Sequence, residues 1–294
     1  SPEGRNFGIG TANLEDWHWY LDKTFAERGD MQQLNEATKE AAAKLGEPNH
    51  KTKVVLMIPN PGEQLTDFGD VDGDGLSENF NAAEIGEEAA LANREKVIRW
   101  WLSQVKQQWN QGNYSNLELV GLYWLNEQIE PTNTGEDVIR YTSRLVHDQD
   151  LKFFWIPHFL AYKSYAWKEA GIDAPAFQPN YFFDNTLGSY RLEDAANIAQ
   201  RYGMGVEIEL DDRMLTDESF RKRYIDYLDG GIKYGYMQNA FKAYYQGTGT
   251  VEKAAISQDP ETRILYDWLY QFADGTYGES FASRTLAELS ERLE

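Results

Sequence analysis

Six short apolar runs, each followed by a helix-like stretch, recur along the chain from residue 53 onward. The runs are 53–58 (KVVLMI, stopped by Pro59-Asn60-Pro61), 117–125, 152–156, 174–178, 204–210 and 231–237. Helical periodicity fills the intervals at 84–111, 135–148, 165–170, 192–202 and 219–228, and resumes at 239. In the longest of these, Ala90, Val97, Trp101 and Val105 repeat on one face. Sustained strand–helix alternation with short connections predicts a parallel sheet, either a closed barrel or an open doubly wound sheet. A doubly wound nucleotide binder carries a glycine-rich turn after its first strand. Neither GxGxxG nor GxxxxGK[ST] occurs, and carboxylates sit at the C-terminal ends of the predicted strands, where barrel enzymes keep their chemistry. The expected fold is therefore α/β, a (β/α)8 TIM barrel. Before residue 53 there is one long helical pattern, 14–45, and a poor strand at 6–10. The barrel is thus expected to lack its first one or two strands. Residues 1–294 are read as a single catalytic domain, N-terminally incomplete, with 247–294 as its C-terminal helical segment.

Composition removes whole classes of function. The chain has no cysteine, which excludes disulfides, thiolate nucleophiles and Cys-ligated zinc. Its four histidines, His18, His50, His147 and His158, form no HExxH motif. A formal net charge of -20 repels phosphate backbones and anionic lipid headgroups, so nucleic acid is not an expected partner. No apolar run is long enough to span a bilayer, so membrane insertion is not expected either. Of the nine Trp and eighteen Tyr some must build the core, and core packing alone can account for them all; any remainder could line a groove, where aromatic faces stack on the CH faces of sugars.

Two carboxylate positions carry the chemical reading. The run LVGLYWLNE places Glu127 at a strand end behind Tyr123 and Trp124, where an apolar setting would raise its pKa as a general acid requires. Capping of the following turn is the bland alternative. In GVEIEL, Glu207 and Glu209 alternate with Val206, Ile208 and Leu210, so both acids share one face. Two acids facing a barrel interior are costly unless paired or used. Glu209, nearer the mouth, is the expected nucleophile; Glu207, deeper, is expected to tune it or hold a positively charged neighbour, and is counted with the substrate-binding residues. Asn126, Trp124, His158, Gln178, Asn180, Tyr181, Tyr234 and Tyr236 complete the expected substrate-binding set, the two last tyrosines as the end of strand eight. Trp124 and Trp155 are candidate stacking platforms, with core packing equally open to Trp155.

An acidic loop, DVDGDGLSE, offers Asp70, Asp72 and Asp74 at alternate positions with a turn-making glycine, a partial match to a calcium loop. Its twelfth position is Asn81 in place of the bidentate Glu. No cofactor is expected to be required, and a structural calcium bound weakly, or a merely solvated loop, fits the pattern.

Counting the Glu127 strand as the fourth makes that of Glu209 the seventh. An Asn-Glu pair ending strand four and a Glu ending strand seven resemble the catalytic arrangement of clan A glycoside hydrolases, in which the Asn contacts the sugar 2-hydroxyl; Asn126 matches that place. More of the chain, from about 17 to 246, resembles a bacterial domain family of unknown function, through IPNP, NLELVGLYWLNE, KFFWIPHF, FQPNYFF, YGMGVEIELD and YLDGGIKYGYMQ. Members of that family are typically secreted and predicted to be glycoside hydrolase-like barrels, with a strand-rich segment upstream of the first helix that has no counterpart here. The resemblance implies a retaining glycosidase acting on a poly- or oligosaccharide, secreted or cell-surface, with Glu127 and Glu209 facing one another across one cleft. The competing readings are a non-catalytic glycan-binding barrel, which needs no carboxylate pair, and a lyase or metal-dependent hydrolase, which needs a His/Asp cluster.

Overall fold

The computed structural model of the chain describes residues 1–278. The described residues fold into two compact units, Ser1–Trp155 with Ala161–Asp173, and Ile156–Leu160 with 174–278.

In the first unit, α1 (Leu14–Phe25) begins at Asn13, whose side chain accepts the Asp16 amide while Asp16 accepts the Asn13 amide. Reciprocal capping satisfies two otherwise orphaned donors. α2 (Asp30–Leu45) ends at Gly46 in the left-handed region. The single helix expected over 14–45 is thus two helices. At Gly29 the chain turns so tightly that a Cβ would lie 2.6 Å from the Lys23 carbonyl. Residues 6–10, the poor strand, form a turn in which the Asn6 side chain accepts the amides of Gly8 and Ile9 at 2.7 and 3.1 Å. β1 (Thr52–Ile58) leads to α3 (Ala82–Ile85) and α4 (Glu87–Gly112), two helices where one was expected, because Gly86 adopts φ 88° between them. β2 (Leu117–Trp124), α5 (Asn133–His147) and β3 (Lys152–Trp155) follow. β2 pairs in parallel with both β1 and β3, setting Ile58 beside Trp124 and Trp124 beside Trp155. The helix expected at 165–170 is a single 3-10 turn, Ser164–Ala166. The core closes on Trp17, which meets Phe68 and Trp101 edge-on at 5.1 and 5.3 Å, all three buried.

In the second unit, β4 (Ala174–Phe177), α6 (Tyr190–Tyr202) and β5 (Gly205–Glu209) form a βαβ unit with Phe177 beside Val206. α7 (Arg213–Thr216), α8 (Glu218–Lys233) and α9 (Tyr236–Asn239) separate β5 from β6 (Lys242–Tyr245), which pairs with it in parallel. The last strand is therefore not 231–237. Ile232, Tyr234 and Tyr236 alternate like a strand, but Tyr224, Tyr227, Leu228 and Gly231 make a buried helical stripe through the same stretch. The true strand, KAYY, was masked by its brevity and partial exposure. α10 (Thr250–Ala255) and α11 (Pro260–Asp274) supply the helical segment expected after 247, the rest of which, from 279, lies outside the described residues.

The architecture is thus α/β with parallel βα units in chain order. Among the described residues there are six strands, not the eight of a complete barrel. No helix among them is long and apolar enough to cross a membrane.

Gly231 lets α8 and α11 meet: a Cβ there would fall 2.3 Å from the Phe272 ring. Gly231→Ala is expected to cost about 1–3 kcal/mol by overpacking, read as a lower urea midpoint. An unchanged midpoint would show that α11 shifts freely.

Candidate functional site

At the C-terminal ends of β1 and β2 the first unit builds a charged network. Arg94, fully buried on α4, donates to the Pro61 carbonyl at 2.7 Å, to Glu63 at 3.0 Å and to Glu130 at 2.6 Å. Asn60, buried at the exit of β1, donates from Nδ2 to Glu130 at 3.1 Å, and Thr134 donates to Glu63 at 2.8 Å. A buried guanidinium is tolerable only with such a full partner set. Sequence reasoning missed Arg94, Glu63, Glu130 and Asn60. The signal was present: Arg94 falls inside the apolar stripe of Ala90, Val97 and Trp101, where a charge must have a buried partner.

A cleft of about 600 Å³ opens beside this network, lined by Asn6, Gly8, Asn126, Glu127, Gln128 and Glu130 among others. Glu127 is exposed, beyond the end of β2. The apolar setting expected from Trp124 and Tyr123 does not enclose it, because Trp124 turns into the core and is 2% exposed. Trp155 is also wholly buried, its indole donating to the Asn126 carbonyl at 2.9 Å. Neither tryptophan is a free stacking platform. Asn126 uses its side-chain oxygen to cap the turn, accepting the Gln128 amide at 3.1 Å.

The second unit gathers most of the remaining expected residues around Glu209. Its carboxylate, at the C-terminal end of β5, has no exposed surface. Oε1 accepts the Asn180 amide at 3.0 Å, and Oε2 accepts the amides of Tyr181 and Phe182 at 3.1 and 3.3 Å and the Tyr227 hydroxyl. Asn180 adopts φ 50°, and that left-handed residue makes successive amides converge into an anion-binding nest. The turn is itself braced: Asn180 donates to Gln178 at 2.9 Å and accepts the Phe159 amide at 2.7 Å, while Gln178 donates to the Ile156 carbonyl at 2.8 Å. His158 is half-buried in the same segment, accepting the Leu160 amide at 3.2 Å. Glu207 is buried one residue pair deeper on β5. The Tyr181 hydroxyl donates to Asp226 at 2.8 Å, and burial, aided by that carboxylate, pushes its pKa up to about 12.

Burial raises the Glu209 pKa; the Tyr227 hydroxyl and the three amides oppose the rise without cancelling it. Tyr227, buried against that carboxylate, is raised as well.

Tyr234 and Tyr236 end no strand. Tyr234 closes α8, and Tyr236 is buried in α9 with its hydroxyl on the Tyr227 carbonyl. They line a cavity of about 340 Å³ with Met204 and Gly205, at the start of β5 and away from Glu209.

In the acidic loop the carboxylates that converge are those of Asp70, Asp72 and Glu78, mutually within 4.8 Å, rather than Asp74. Asp74 accepts the Leu76 amide at 2.8 Å instead. Lys96 sits against Asp72 and Glu78 at 2.8 and 2.9 Å, and those hydrogen bonds raise its pKa. The Gly75, Gly73 and Asp72 amides hold the Asp70 carboxyl below its usual value.

The described units define an α/β protein of parallel βα units with carboxylates gathered at the C-terminal strand ends. The chain belongs to the family described as a domain of unknown function (DUF4855), whose profile matches residues 6–271. No curated protein matches it. Among solved structures it is similar to a proposed alpha-L-fucosidase from Bacteroides thetaiotaomicron VPI-5482, at 18% identity and a TM-score of 0.41, over 63% of this chain and 62% of that one. It is also similar to an endo-1,4-beta-xylanase from Caldicellulosiruptor owensensis, at 15% identity and a TM-score of 0.40, over 77% of this chain and 75% of that one. Likeness this distant carries no argument about substrate or mechanism.

Two outcomes are expected. As pH rises through the ordinary carboxylate range of about 4–5, unfolded chains lose the Glu209 proton while folded ones keep it, so stability falls until the folded carboxyl ionises. Glu209→Gln removes that part of the pH slope in urea unfolding; an unaltered slope would contradict it. Calcium titrated into stripped protein by calorimetry is expected to bind only weakly, since Lys96 already neutralises the pair it would need. A sub-micromolar site would overturn this.

Proposed function

We propose that this chain is a retaining glycoside hydrolase of (β/α)8-barrel type that acts on a poly- or oligosaccharide, secreted or at the cell surface, with no required cofactor and no nucleic-acid partner. Glu209 is the nucleophile and Glu127 the acid/base. The observation that carries the reading is the Glu209 carboxylate, fixed at the C-terminal end of a parallel strand by three amides and a phenol. Of its two oxygens, Oε1 keeps a lone pair, since its second contact, Asn180 Nδ2 at 3.5 Å, is weak. In the proposed reaction this oxygen attacks the anomeric carbon as the glycosidic oxygen leaves with the Glu127 proton. Glu127 then takes a proton from the water that cleaves the glycosyl ester, releasing the sugar and restoring both groups. The proposal requires the two carboxyl groups to come within about 5–5.5 Å in the working enzyme. Asn126 is assigned to the sugar 2-hydroxyl.

A second reading, a non-catalytic glycan-binding protein, is favoured by one observation: Glu209 has no exposed surface at all. A panel of aryl glycosides and polysaccharides separates the two. Under the catalytic reading Glu209→Gln abolishes turnover of every substrate, while Glu127→Gln spares the first, glycosylation step for substrates with good leaving groups, which need little protonation. Near-wild-type activity in both variants ends the assignment. Glycans that bind but are not cleaved establish the second reading, and product NMR showing an inverted anomer removes the nucleophile role.

A further inference from the structure

The aromatic residues at the end of β5 divide sharply by exposure. Phe182 and Tyr227 are wholly buried and Tyr181 is 4% exposed, but Phe183 and Tyr245 are 43% and 49% exposed. Sheet register decides where Tyr245 points. β5 and β6 pair in parallel with Glu209 opposite Tyr245 and Ile208 opposite Tyr244, and the Leu210 amide donates to the Tyr245 carbonyl at 2.8 Å. Residues in register on neighbouring parallel strands share a face. Tyr245 therefore stands on the Glu209 side of the sheet, and Tyr244 on the other. Phe183 directly follows Phe182, whose amide binds Glu209, and its ring meets that of Tyr245 edge-on, at 5.5 Å and 85°.

The corner is held from behind. Arg213 lies over Phe220 at 4.1 Å and over Phe183 at 5.6 Å, and is clamped by Asp211 at 2.7 Å. That carboxylate offsets its charge, so the cation stacked on Phe183 is not free for an acidic sugar.

We propose that Phe183 and Tyr245 form a stacking subsite for a neutral pyranose ring, next to Glu209 and resting on the glycosidase reading above. Two perpendicular exposed rings suit a ligand with a flat CH face and a hydroxyl rim, because the CH face packs on one ring while the phenol bonds a hydroxyl. Because Arg213, the cation stacked on Phe183, is already paired with Asp211, it has little to offer a uronate or a sulfated sugar.

The test is calorimetric and NMR titration of the chain with neutral xylo-, cello-, manno- and galacto-oligosaccharides and with an oligouronate. The neutral ligand that binds is expected to show upfield ring-current shifts of its CH protons. Tyr245→Ala and Phe183→Ala should each weaken it about tenfold and abolish those shifts. Tyr245→Phe should keep them, and circular dichroism should be unchanged throughout, since both rings are exposed. Wild-type-like binding by the alanine variants would overturn the subsite while leaving the glycosidase reading intact. Preference for the oligouronate would overturn the charge argument. Absence of binding by any glycan would sink both the subsite and the reading beneath it. Concentration-dependent self-association lost in Tyr245→Ala would reassign the corner to a contact between copies of the chain.

Discussion

A carboxylate stripped of water is the constraint around which the second unit is arranged. Isolated in an apolar interior, an ionised Glu209 costs several kcal/mol. The fold answers with donors from two elements: the left-handed turn at Asn180 aims three successive amides at it, and α8 contributes the Tyr227 hydroxyl. Fixing that turn also fixes Gln178, His158 and Phe183, so one ionic requirement positions much of the strand-end surface. The first unit meets the inverse problem in the same way. Buried Arg94 is satisfied by Glu63, Glu130 and the Pro61 carbonyl, and thereby ties α4 to the exits of β1 and β2.

Much of this frame was legible in the sequence because strands and helices bury their apolar residues with different periods. Five of the six expected strand segments coincide with β1 to β5. The alternation in GVEIE placed two acids on one face, and both are buried. The failures occurred where local pattern and tertiary need diverge. Ile232, Tyr234 and Tyr236 imitate a strand, yet the glycine beside them serves a helix–helix contact with Phe272. Gly29 and Gly86 look tolerable within helices and instead mark breaks, each preceding the first residue of a new helix, α2 and α4.

Side-chain direction was the least legible property. Trp124 and Trp155 had the composition of a sugar platform, but successive strand residues point to opposite faces, and these two point into the core. Phe183 and Tyr245 carry no distinguishing signal in the sequence, because only the β5–β6 register shows which face Tyr245 occupies. The acidic loop illustrates a similar limit. Its spacing suggested Asp70, Asp72 and Asp74, whereas the fold substitutes Glu78 for Asp74 and brings Lys96 from α4 as the counter-charge.

Chemically, the account rests on Glu209 being a carboxylate that a sugar can reach and bond. Covalent trapping addresses this most directly. The chain is incubated with a panel of activated 2-deoxy-2-fluoro glycosides, whose glycosyl-enzyme intermediates hydrolyse slowly, and is then digested and sequenced by mass spectrometry. The account predicts one glycosyl adduct, on the peptide carrying Glu209, absent in Glu209→Gln and still formed in Glu127→Gln. An adduct on another carboxylate, or none with a glycoside that the protein demonstrably cleaves with retention, would contradict it.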